Sequence, residues 1–352
     1  MRTPRRAFDA WLVALILSVG LEGFAHADVT SYIQVRGACA EDAEDARLSV
    51  RRLKATYEEE LGSDTAFLIQ GIYKTGNASA TDDRVYLQEA LIRVRLGGGS
   101  LTLGQFKPPF GLERFTPDWD LDAIDRSVAT DSLVPNGKLG RGQGFTRDYG
   151  AQWEDKSRSG RVWGAVGVFG GHGANSPWRG VSPLVAGRVL WTAHRGTGST
   201  LRVGASASWR RADDVNLDNA LPGESDLSHF SGEDGRWGLD LSLDCHRARF
   251  RAELLRVGLR PSDGAAGRVR AAGGYVQASY RVSHRLEVAT KVERFDPNTA
   301  LSDQWDQRQA SLALTYLLHG RQDRLQLAYV RPIAASGQRS TGRLLCLFQR
   351  FF

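Results

Sequence analysis

Arginine is the residue type through which this sequence could do chemistry. Arg93 and Arg95, and again Arg249 and Arg251, stand two positions apart and so share one face of an extended strand. A guanidinium stays charged at any ordinary pH and offers a fork of donors that fits phosphate or carboxylate oxygens. A row of them beside a passage would raise the local anion concentration and give several weak sites, so that an ion can enter and still leave. The segment 108–146 and its exit carry a second set: Arg114, Arg126, Lys138, Arg141 and Arg147. The competing reading of the strand arginines is structural, with pairing across strands to Glu89, Asp240, Asp244, Glu253, Glu287 and Glu293. For the second set it is a solvated external loop whose charges only keep it soluble.

Bond-making chemistry has no such support. Neither HExxH nor GxSxG occurs, and the seven histidines never reach metal-ligand spacing. Cys39, Cys245 and Cys346 match no metal site, and an odd count is no disulfide framework. Gly140-Arg141-Gly142-Gln143-Gly144 lacks the lysine and following helix of a phosphate-cradling loop. Neither an enzyme nor a cofactor is expected.

The elements that must position the arginines are short strands of period two, broken by Gly, Asn, Asp and Pro clusters. Trp237, Leu239, Leu241, Leu243 and Cys245 alternate with Gly238, Asp240, Ser242 and Asp244. Leu201, Val203, Ala205, Ala207 and Trp209 alternate in the same way with Arg202, Gly204, Ser206, Ser208 and Arg210. A soluble sandwich would alternate too, but here the polar face carries long charged side chains in mid-strand. The apolar face carries aromatics at strand ends: Trp209, Tyr280, Tyr316, Tyr329 and Phe348. An apolar band between aromatic girdles, around a polar interior, is what a lipid-embedded barrel requires. About sixteen strands are expected. The first runs over 29–36, with Cys39–Asp45 read as loop. Short links such as 96–100, 245–247 and 318–323 alternate with long ones at 108–146, 211–234 and 296–306. Pro108-Pro109 ends strand pairing before the longest link. So long a patternless stretch works as a loop or is disordered.

The N-terminus sets the compartment. Arg2, Arg5 and Arg6 precede an apolar stretch, Trp11 to Leu21, which is too short to span a bilayer. Ala25-His26-Ala27 follows, so residues 1–27 read as a secretory signal cleaved after Ala27, and 28–352 as one barrel domain. Removing Arg2, Arg5, Arg6, Asp9 and Glu22 lowers the net charge from +6 to +5. In an exported protein that excess points away from nucleic acid and towards small anions or lipopolysaccharide phosphate.

Residues 102–126, TLGQFKPPFGLERFTPDWDLDAIDR, carry a GxFxxxFGLE pattern through Gly104, Phe106, Phe110, Gly111, Leu112 and Glu113, followed by Arg126. This resembles the phosphate-selective porins O and P, whose fifth strand runs into such a signature and a constriction loop. GYVQASY at 274–280 and the spacing of the last strands add to the likeness. The resemblance implies a sixteen-stranded homotrimeric barrel in the bacterial outer membrane. It would pass anions such as phosphate down their gradient, with the 108–146 loop folded inward. It also exposes a departure. An arginine pair expected on entry to the second long strand is replaced by Glu44 and Asp45, with only Arg47 nearby. A family lysine position falls on Trp119. Charge reversal at a lumen position weakens anion binding, so the expectation is an anion-leaning porin rather than a phosphate-specific one. The alternative is an exported β-protein that is no channel, either a barrel enzyme or a carbohydrate-binding module using Trp119, Trp178 and Trp305 as stacking platforms.

Overall fold

The structure, a computed structural model, describes residues 27–42, 46–75, 84–137, 146–176, 183–218, 220–222, 227–262, 267–301, 305–333 and 341–352. Sixteen antiparallel strands close on themselves. They are β1 (Ala27–Ala40), β2 (Arg47–Leu61), β3 (Thr65–Lys74), β4 (Arg84–Leu96), β5 (Gly99–Phe106), β6 (Asp148–Lys156), β7 (Val162–Phe169) and β8 (Leu184–Gly196). The wall continues with β9 (Ser199–Val215), β10 (Phe230–Cys245), β11 (Ala248–Pro261), β12 (Val269–Arg281), β13 (Leu286–Asp296), β14 (Gln307–His319), β15 (Asp323–Pro332) and β16 (Arg343–Phe351). Each strand pairs with its sequence neighbour. β1 and β16 form the seam, in register from Tyr32 opposite Phe351 to Ala40 opposite Arg343. Among the described residues no helix is long and apolar enough to cross a membrane.

The two faces of the wall are inverted relative to a soluble domain. Leu239, Val276, Val292 and Leu312 point outward and are 50–57% exposed. Their strand neighbours Asp240, Gln277 and Lys291, and Thr315 three residues beyond Leu312, point inward and are buried. A greasy exterior around a polar interior is favourable only where hydrocarbon is the solvent, and closure leaves no strand edge unpaired in it. Links alternate strictly between short (62–64, 97–98, 246–247, 320–322) and long (107–147, 216–229, 262–268). Short links mark the periplasmic end and long ones the external end.

Two boundaries differ from expectation. Cys39 and Ala40 belong to β1, opposite Leu344 and Arg343, rather than to a loop. Much of 211–234 is strand, because Arg211 and Ala212 pair with Glu233 and Gly232. There the hairpin stands beyond the apolar band, so alternation no longer marks it.

Candidate functional site

The segment after β5 runs inside the barrel, and two motif glycines let it do so. Gly104 has φ +126°, and a Cβ there would come within 2.2 Å of the Ala90 carbonyl oxygen. Gly111 has φ +81°, and its Cβ would meet Glu253 Oε1 at 2.6 Å. Only glycine suits both the backbone angle and the closeness. Glu253, on the inner face of β11, accepts the Leu112 and Glu113 amides at 2.7 and 3.1 Å. Ser206 of β9 accepts the Gly111 amide at 3.0 Å. The FGLE signature is thus a clamp of backbone onto the barrel wall.

Beyond the clamp the loop turns back on itself. Arg126 donates to the Glu113 and Thr116 carbonyls at 2.6 and 2.7 Å and to Asp118 Oδ1 at 2.8 Å. A short helix, α1 (Val128–Leu133), follows, and its N-cap Ser127 Oγ accepts the Thr130 amide at 3.0 Å. At the other end Arg236 of β10 donates to the Leu133 and Val134 carbonyls at 3.1 and 2.8 Å, satisfying oxygens the helix leaves open. Ala129 and Leu133 sink into an inner apolar cluster with Leu255, Val257, Leu259 and Phe295. Gly273 makes room, since a Cβ there would lie 2.7 Å from that of Ala129.

Between clamp and helix, loop carboxylates reach opposite walls. Asp118 meets Lys54 at 3.0 Å and Arg52 at 3.5 Å, both on β2. Asp125 meets Arg51 at 2.9 Å and Arg36 at 3.4 Å, while Lys291 of β13 donates to its carbonyl at 2.8 Å. On the far side Asp122 accepts from Gln277 at 2.9 Å and Ser279 at 3.1 Å, and pairs with Arg249 and with Arg321 at 2.8 Å. A loop tied to β1–β2, β11–β13 and the β14–β15 turn spans the lumen and narrows it. A cavity of about 300 Å³ remains beside it, lined on the wall side by Arg202, Arg249, Arg251 and Gln277 and on the loop side by Asp120 and Asp122.

The charge around the loop is uneven. Arg51, Arg52, Lys54, Lys107, Arg114 and Arg147 crowd the side facing β2–β6, against Asp118, Asp125 and Glu89, the last paired with Arg147 at 2.6 Å. Burial would raise the Asp118 carboxyl, but Arg52, Lys54 and Arg126 outweigh it and hold it well below the usual range. Burial, then the nearby Arg147 and other cations, push the Lys107 ammonium well below its ordinary value despite Glu89. Such a region is short of negative charge.

The sequence-selected residues take distinct places. Arg93 and Arg95 lie exposed near the short β4–β5 turn; Arg93 stands opposite the lumen-facing Thr102, and Arg95 donates to the Ser63 carbonyl at 3.3 Å. Arg114 is buried in the loop, and Arg126 is fully used in tying it. Arg249 and Arg251 do share one lumen face, bound to Asp122 and to Asp244 respectively. Lys138, Arg141, Glu44, Asp45 and Trp178 lie outside the described residues. Trp119 packs edge-on against Phe351, ring centres 5.7 Å apart, rather than standing free as a platform.

Arg51 and Arg52 escaped sequence reasoning. Adjacent residues of a regular strand face opposite ways, which hides a pair of this kind. Here Gln34 pairs with Arg52 and Val35 with Val50, so Arg51 is an extra residue, a β-bulge that turns both guanidiniums to the loop. Lys54 and Arg321 were missed because their loop partners, Asp118 and Asp120 with Asp122, are remote in sequence.

Among the described residues no cluster of His, Cys, Asp and Glu could hold a metal. The barrel is similar to several solved outer-membrane proteins. An anion-selective porin from Comamonas acidovorans superposes with a TM-score of 0.62 at 14% identity, over 93% of this chain and 99% of that one. The outer membrane channel DcaP of Acinetobacter baumannii gives 0.62 at 12% identity, over 94% and 99%. OmpT of Vibrio cholerae, lacking its loop L8, gives 0.62 at 12%, over 93% and 99%. At such identities the likeness is one of fold. No curated protein sequence gives a significant match. The family profile described as "Phosphate-selective porin O and P" matches residues 19–331, and with the closed barrel and the inward FGLE loop already in view, the chain belongs to that family of outer-membrane porins.

Proposed function

We propose that the chain is an anion-leaning diffusion channel whose preference is set where the 107–137 loop meets β2–β6. The observation that carries this is the surplus of cations on that side, with Asp118, Asp125 and Glu89 already engaged. In a narrow, low-dielectric passage fixed positive charge lowers the barrier for anions and raises it for cations. Charge surplus fits small anions, phosphate among them, without requiring a dedicated phosphate site. Arg93, Arg95, Arg249 and Arg251 would extend the positive path along the wall. Lys138 and Arg141 would add to it from the loop.

Export through cleavage after Ala27 belongs to the same reading, and β1 begins at that residue. A homotrimer in contact with outer-membrane lipid and lipopolysaccharide is proposed with it; one OmpT structure of Vibrio cholerae is of a trimer form. The test is the reversal potential of the full-length protein in planar bilayers under a KCl gradient. Chloride is expected to be the more permeant ion, and Arg52→Glu with Lys107→Glu is expected to move the potential towards potassium. A cation-selective wild type would remove the anion reading and leave the porin.

A further inference from the structure

The outer wall carries a feature that a channel does not need. Along the external ends of β11, β12, β13 and β14 the exposed face bears Arg256, Arg270, Arg294 and Arg308. Arg256 and Arg294 follow directly on the apolar outward residues Leu254 and Val292, whereas Gly274 and Ala272 separate Arg270 from Val276 and Ala310 separates Arg308 from Leu312. From Tyr280 to Arg270 the strand climbs ten residues, roughly 25 Å at ordinary rise and tilt, the height of a barrel's apolar band. Arg270 therefore lies at headgroup level on the side of the long loops, and Arg256, Arg294 and Arg308 stand just below it, opposite Ala272 and Gly274, from where a long side chain snorkels to the same level.

Beneath them the wall is hollowed. A groove of about 890 Å³ runs over Ala272 and Gly274, with Leu254, Val276 and Val292 as its apolar flanks and Arg294 and Arg308 at its upper rim. A second groove, of about 560 Å³, adjoins it through Arg256 and Ala272. The floor is deep because β12 offers small residues there: a Cβ on Gly274 would come 2.3 Å from the Glu253 carbonyl oxygen. Two carboxylates are present, Asp296 at 3.2 Å from Arg294 and Glu233 at 3.1 Å from Arg260. Arg256 only covers the Trp237 ring, 5.5 Å from its centre. Among the described residues Arg256, Arg270 and Arg308 make no ion pair. The guanidiniums of Arg256 and Arg308, without a carboxylate partner, and of Arg294, which shares one with Asp296, stand above a greasy trough and match one kind of molecule, with an anionic head and a hydrocarbon tail.

We propose that this face is a specific site for a phosphate-bearing lipid of net negative charge in the external leaflet. Its acyl chain lies along the Ala272–Gly274 trough, and its phosphate is held by Arg256, Arg294 and Arg308. The proposal rests on the membrane placement read above, but not on the charge preference of the lumen. Native mass spectrometry of the full-length protein in detergent, titrated with a diphosphorylated lipid A or with phosphatidylcholine, tests it. Lipid A is expected to bind more tightly. Arg256→Gln, Arg294→Gln and Arg308→Gln together are expected to weaken it on the order of a hundredfold, at the usual gain per basic residue near an anionic surface. Ala272→Phe, which fills the trough and spares the arginines, is expected to weaken lipid A as well. Inorganic phosphate in excess should not displace it, because the trough holds the chain. Conductance and reversal potential should be unchanged in all variants, since these side chains face away from the lumen; loss of wild-type conductance would instead count against the porin reading. Equal binding of the two lipids, undiminished lipid A binding by the triple variant, or displacement by phosphate would overturn the proposal. So would variants that lose a trimer and no lipid, for the trough would then be a contact between copies.

Discussion

Three cations converge on the carboxylate of Asp118: Arg52, Lys54 and Arg126. Together they outweigh the cost of its burial, so its folded pKa lies below the ordinary 3.8. The anchoring it provides is therefore complete above about pH 4 and fades only as pH falls through the lower folded value. The difference in single-channel conductance between the wild type and Asp118→Asn is expected to stay level from neutral pH to about pH 4 and to narrow only in stronger acid. A step in that difference between pH 5 and 7 would contradict this. Asp118→Asn keeps the shape and strands the three cations, a loss of about 3–5 kcal/mol for a buried partner. A higher and noisier conductance with unaltered gel mobility is the expected outcome. Gly111→Ala should free the same loop from its other end, because the new methyl displaces Glu253 and with it the Leu112 and Glu113 amides. The same increase in conductance checks it.

At the scale of elements, α1 is what turns a long link into a fixed constriction. It is too short to be stable alone, and it persists because Leu133 and Ala129 are buried against β11–β13 and Arg236 holds its last carbonyls. Gly273→Leu should evict it, since even a Cβ collides with Ala129. Conductance is expected to rise while heat-modifiable mobility on a gel remains, for the barrel's own pairing is untouched. The helix was not legible in the sequence. Its six residues carry no periodicity of their own, and the wall that receives it is apolar on the inner face, at Leu255, Val257 and Leu259, where a lumen calls for polar residues. The strands were legible, since one face of each meets lipid and the other water. Where that contrast ends, alternation ends with it, as at 211–215 and in the bulge at Arg51.

The whole molecule is held by contacts between parts of the chain far apart in sequence: Lys54 with Asp118, Arg188 with Asp240 at 2.6 Å, Arg321 with Asp122. Sequence could nominate the lumen charges and acids that pair with them along the wall, such as Asp244 with Arg202 and Arg251, but not the loop partners, which depend on how sixteen strands curl. A closed antiparallel wall unfolds as a unit, so the unboiled protein should run on SDS gels at a mobility distinct from the boiled one. Identical mobilities would argue against the barrel. The β1–β16 seam couples this wall to its filter. Tyr32 stacks on Phe351 with ring centres 5.0 Å apart, and Phe351 in turn meets Trp119 of the loop. Because Phe351 lies on β16 and Trp119 in the loop, this edge of the filter gains its packing only where β16 has joined β1, so shutting the ring and seating the loop are coupled.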